Sequence, residues 1–89
     1  MIDWNQKFME SFSEIVGVQP EELDLNNPGK VIKAIMKTQG LTNDMLANKA
    51  GIHVNTIQGW TSGRRTPSFF NFMVCLNALG YTIKVEKDE

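Results

Sequence analysis

The segment HVNTIQGWTSGRR, residues 53–65, holds the side chains of this chain best suited to recognition chemistry. Asn55, Thr56 and Gln58 can donate and accept hydrogen bonds, yet no Lys or Arg stands among residues 54–62. Arg64 and Arg65 follow directly, in the Gly- and Ser-containing stretch TSGRRTPS. Such a set binds by hydrogen bonding and charge; it does not make or break bonds. The single histidine, His53, and the single cysteine, Cys75, lie far apart, and Cys75 sits in an apolar run. No carboxylate pair, Gly-rich phosphate loop or metal-ligand spacing occurs, so the chain is expected to have no catalytic activity, no metal and no cofactor.

Charge is distributed unevenly. Residues 1–29 carry one lysine against six acids (Asp3, Glu10, Glu14, Glu21, Glu22, Asp24), a net −5. Residues 30–87 carry eight basic side chains against Asp44 and Glu86, a net +6, and the whole chain has a net charge of −1. A basic body behind an acidic leader fits either an anionic partner or plain solvated surface. At 89 residues there is room for one domain, and a core this small is of modest stability, which dimerisation would raise. No apolar run approaches the ~20 residues of a membrane span, and no targeting pattern opens the chain, so a cytoplasmic location is expected. A lone cysteine excludes an internal disulfide.

These residues need elements to hold them, and the hydrophobic period supplies them. Trp4, Phe8, Phe12 and Ile15, with Met9 and Val16, recur at helical spacing and predict an amphipathic helix over 2–16 that stops at Gly17. GVQPEELDLNNPG is a connection, with one helical turn at Pro20–Leu23. In KVIKAIMKTQG, Val31, Ile32, Ile35 and Met36 form one face and Lys30, Lys33 and Lys37 the other. Thr42 caps a short helix to about Lys49, Gly51 marks a turn, and another short helix covers roughly 54–61. Pro67 suits the first turn of a last helix, with a core stripe of Phe69, Phe72, Met73, Leu76 and Leu79. Phe70 and Val74 lie beside that stripe and need a cover, from the N-terminal helix or a second subunit. In YTIKVEKDE, Tyr81, Ile83 and Val85 alternate with polar residues and predict a strand, pairing antiparallel with its copy across a two-fold axis; a frayed tail is the alternative.

The spacing over 43–62 resembles the helix-turn-helix of the phage repressor family that includes Cro and cI. Ala47, Gly51 and Ile57 stand at its small, turn and core positions, with Leu46, Ala50, Ile52 and Trp60 apolar around them. Ala47 is small where two helices cross; Gly51 suits a left-handed turn that costs other residues roughly 1 kcal/mol or more. Leu41-Thr42, the loop Ser62–Ser68 and Asn77-Ala78-Leu79-Gly80 extend the likeness over about residues 28–80. The strand after it looks like a variant found among antitoxin-type regulators. The resemblance implies an all-α, lambda-repressor-like fold with an extra N-terminal helix and a short C-terminal strand. Its divisions would be 1–27, 28–80 and 81–89.

What the family does implies roles for these residues. The helix over 54–61 would lie in the major groove of double-stranded DNA, while the one before it crosses the phosphate backbone. With Ile57 inward, Asn55 and Gly59 point outward, flanked by Thr56, Gln58 and Ser62. Asn55 and Gln58 are the expected base readers, because amides match the N6/N7 edge of adenine. Val54 could pack on a thymine methyl; His53 could touch phosphate or only cap its helix. Asn43, Lys49, Arg64 and Arg65 are the expected phosphate contacts, and Lys30, Lys33 and Lys37 are either more distant contacts or a solvated face. Gly59 departs from the family, which usually has a side chain there. The function implied is a sequence-specific regulator, a repressor, binding a palindromic operator as a homodimer through Tyr81, Ile83 and Val85. The alternative is an antitoxin that also binds a protein toxin through the acidic helix bearing Trp4, Phe8 and Phe12, unless that helix merely covers Phe70 and Val74.

Overall fold

Side-chain hydrogen bonds cap the start of four of the five described α-helices. The computed structural model describes residues 3–81. Helix α1, Trp4–Val16, starts where the Asp3 carboxylate accepts the Gln6 N–H at 3.2 Å, and it closes at Gly17. A single 3₁₀ turn, Pro20–Leu23, leads to α2, Pro28–Gln39. Helix α3, Asn43–Ala50, is capped by Thr42 Oγ1, which accepts from Met45 N–H at 3.2 Å. Helix α4 is Val54–Thr61 and α5 is Phe69–Ala78.

The turn between α3 and α4 depends on one glycine. Gly51 has φ +70°, a left-handed conformation that side chains resist, and its N–H donates to Ala47 O at 2.9 Å. Ala47 is buried beneath that crossing, as are Ile57 and Trp60 on the facing helix. The expected frame of the motif is therefore in place.

One apolar core joins all five helices. Leu23, Val31, Ile32, Ile35, Leu46, Ile57, Cys75 and Leu76 are fully enclosed, and no polar side chain is buried among the described residues. Phe12, Val16 and Val18 extend this core from the N-terminal segment, so 3–27 is not a detached leader. Helix α1 packs on the 3₁₀ turn, which packs on α2. Asn5 fastens that arrangement: its Nδ2 donates to Asp24 Oδ1 at 2.7 Å, and its Oδ1 accepts Leu25 N–H at 2.8 Å. The Gln39 amide donates to Leu79 O at 2.8 Å and ties the end of α5 to α2.

Several sequence expectations change. The last helix begins at Phe69 with Ser68 as its cap, so Pro67 precedes the helix and is buried. Its buried stripe is Phe72, Cys75, Leu76 and Leu79; Met73 is half-buried, and Phe69 is 75% and Phe70 73% exposed. Almost every position of α5 is apolar, so two neighbouring stripes satisfy the same helical spacing. Ile15 is likewise 65% exposed, because Phe12 and Val16 take the inward positions of α1. Helix α1 leaves Phe70 uncovered. No strand occurs among the described residues, and the expected one, with Ile83 and Val85, falls outside them beyond Tyr81. Tyr81 itself packs edge-on against Phe12 of its own chain, with ring centroids 5.1 Å apart.

Candidate nucleic-acid interface

Burial of Ile57 and Trp60 fixes the rotation of α4 about its axis and leaves Asn55 and Gln58 exposed. Among the described residues nothing bonds either side-chain amide, so both keep their full capacity to donate and accept. Val54 and Thr56 are half-buried beside them. His53 caps the helix: its Nδ1 accepts the Asn55 N–H at 3.1 Å. That acceptance places the ring proton on Nε2, where it is a free donor at the exposed end of α4.

Asn43 opens α3 and reaches across to α4, its Oδ1 accepting from the Thr61 hydroxyl at 3.2 Å. The amide NH2 of Asn43 remains available, at a helix N-terminus whose dipole favours an anion. Lys49 is exposed in the last turn of α3. Beyond α4, Arg64 Nε donates to Ser62 Oγ at 3.2 Å, which holds the arginine close to the helix end. Arg65 is exposed, and its N–H donates to Gly59 O at 3.0 Å.

Two residues gain importance that sequence alone left undecided. Lys33 and Lys37 line one surface hollow together with Thr42, Asn43, Gln58 and Arg64. They also line a second, adjoining hollow with Lys30, Thr61, Ser62 and Gly63. The lysine face of α2 is thus continuous with the end of α4, and Glu22 closes its far end. The i, i+4 spacing of Lys33 and Lys37 was visible in the sequence; their neighbourhood with Gln58 required the α2–α4 packing.

Gly59 overturns an expectation. It lies on the outward side of α4, yet it is buried. A Cβ built there would meet Arg65 Cδ at 3.4 Å, Cγ at 3.6 Å and Cβ at 3.8 Å. The stem of Arg65 covers the glycine, so the position is filled from the loop.

No group of three or more His, Cys, Asp or Glu could hold a metal among the described residues. Burial pushes the Cys75 thiol up to about 11, which leaves it protonated and inert near neutral pH. Among the described residues, no helix is long and apolar enough to cross a membrane.

Comparison with known proteins agrees with this geometry. A family model described as "Helix-turn-helix" matches residues 32–85. No curated protein and no solved structure matched the chain.

Proposed function

The chain belongs to that helix-turn-helix family, of the Cro/cI type, and from this premise we propose that it is a repressor binding a palindromic operator as a homodimer. The family is one of DNA-binding transcription regulators. In our reading α4 enters the major groove, with Asn55 and Gln58 as base readers and Val54 and Thr56 beside them. His53 Nε2, Asn43, Lys49, Arg64 and the pair Lys33 and Lys37 hold phosphates along the flanks. The observation that carries the reading is the exposed, unbonded amide pair on α4 with cations around its ends.

The homodimer rests on α5. Phe69 and Phe70 are exposed on a helix without a charged residue, a surface that a second copy can cover without like-charge repulsion. Two copies would set half-sites about one turn, ~34 Å, apart. The antitoxin alternative is less well supported, because Phe12 is buried and Phe8 stacks on it at 4.9 Å. Phe8 and Phe12 are both engaged with the core of their own chain.

The test is selection from random duplex DNA by the purified protein, at ~0.15 M salt, followed by Kd measurement on the selected site. Asn55→Ala and Gln58→Ala should each cost about 1–3 kcal/mol on that site and relax preference at one base pair. Selected pools no different from the input would reject a sequence-specific repressor. Unchanged preferences in the double variant would reject the assigned readers.

A further inference from the structure

We infer that Arg65 reads a guanine, from the place on α4 that Gly59 leaves without a side chain. The inference rests on α4 lying in the major groove, as proposed above. Positions 55 and 59 are one helical turn apart and share the side opposite Ile57. Asn55 presents an amide there. At 59 the helix presents nothing of its own, and the Arg65 stem lies over it with Cδ 3.4 Å from the site of a Cβ.

Two bonds beyond that Cδ lies the central carbon of the guanidinium. Arg65 is exposed, and among the described residues no acceptor bonds its side chain. The backbone holds the side chain in this seat: Arg65 N–H donates to Gly59 O at 3.0 Å, so the loop is fastened to the very residue it covers. Arg64 differs. It is drawn to Ser62 Oγ and lines the hollow with Lys33 and Lys37, where a backbone phosphate would pass.

The chemistry follows from the position. An arginine over the outward side of a groove-bound helix meets base edges, and its two parallel donors match O6 and N7 of guanine. A side chain longer than alanine at 59 would push the stem away, whereas a lone Cβ would only touch it.

The experiment compares DNA selections and salt-dependent Kd values for the wild type, Arg65→Gln, Arg65→Lys and Gly59→Gln, with thermal melts to verify folding. The wild-type site should hold one guanine per half-site whose replacement weakens binding by about 5- to 150-fold. Arg65→Lys keeps the charge but loses the planar fork; that guanine preference should weaken, since an ammonium still reaches O6 or N7, while the other preferences and the salt slope stay. Gly59→Gln keeps both arginines but fills the seat, and should lose the same preference. Retention of the full guanine preference by Arg65→Gln, which has neither the charge nor the fork, overturns the inference. So does an Arg65→Gln variant that weakens all sequences equally and lowers the salt slope by about one, the mark of a phosphate contact. A wild type without any preference overturns the underlying functional reading too, and is recognised before any variant is made.

Discussion

Gly29→Ala should destabilise this protein even though alanine is the better helix former. Gly29 is buried in the first turn of α2, and its φ is not of the left-handed kind. The constraint is space. A Cβ there would collide with the carbonyl oxygen of Trp60 and lie 3.1 Å from its carbonyl carbon and 3.6 Å from its Cα. All three are backbone atoms, so no side chain can rotate away; α2 and α4 must separate. Intrinsic propensity would return at most about 1 kcal/mol, and less in a first turn. Overpacking by a methyl costs about 1–3 kcal/mol, and a rigid obstacle puts this case at the upper end. The net loss is about 1–2 kcal/mol, or roughly 5–15 °C in Tm for a domain of this size. Gly59→Ala is the internal control. Its Cβ would sit in ordinary contact with a flexible stem, so the helix gain of about 0.5–1 kcal/mol should survive and Tm should rise. Thermal melts followed by circular dichroism measure both. A Gly29→Ala variant as stable as the wild type, or a Gly59→Ala variant destabilised as much as Gly29→Ala, would refute the packing argument. Trp60 O also accepts the Gly63 N–H at 3.2 Å, so the Gly29→Ala displacement reaches the arginine loop. Its DNA affinity should fall with its stability.

Replacing Lys33 and Lys37 together by Gln should lower the slope of log K against log salt by up to about 1.8, with base preferences unchanged; an unchanged slope would remove α2 from the phosphate path. The Asp24 carboxylate is held below its ordinary pKa, first by the Asn26 N–H and then by the Asn5 amide. Because the folded value is the lower one, that contribution is complete above the ordinary value of about 3.9 and is lost as pH falls through the folded value. Amide-exchange protection in α1 should therefore fall in acid before that of α4, and an equal fall in both would contradict the clasp. Phe70→Lys should shift the protein from dimer to monomer in sedimentation, without unfolding it, since Phe70 is outside the core of its own chain; a stable dimer would move the interface elsewhere.

Legibility in the sequence followed the strength of local rules. Gly17, Gly40 and Gly51 ended three helices where the spacing placed their ends, and Ile57 and Trp60 turned inward as a helix over 54–61 requires. These depend on a turn residue or a period, both of which are local. The stripe of α5 was not legible, because an all-apolar helix carries no contrast from which to read its phase. Packing against α3 and α2 decided it. Gly59 and the lysines of α2 failed for another reason. Their surroundings come from elements six or more residues away, and periodicity within one helix carries no information about what a loop lays across it.

That long-range part is where affinity and selectivity separate. Helix α4 carries no charge, whereas Lys33, Lys37, Lys49 and Arg64 stand on its neighbours. Coulomb attraction reaches about 10 Å at 0.1 M salt and does not distinguish base pairs, so cations on the flanks draw in any duplex. Hydrogen bonds to base edges act only in contact, and uncharged amides on α4 leave the balance of affinity to be decided there. Raising the salt should therefore weaken specific and random DNA by nearly the same factor while the ratio between them stays almost constant. Arg65, charged and laid over Gly59, is the one residue that our proposal expects to contribute to both. Its removal should lower the ratio, whereas removal of Lys33 and Lys37 should not.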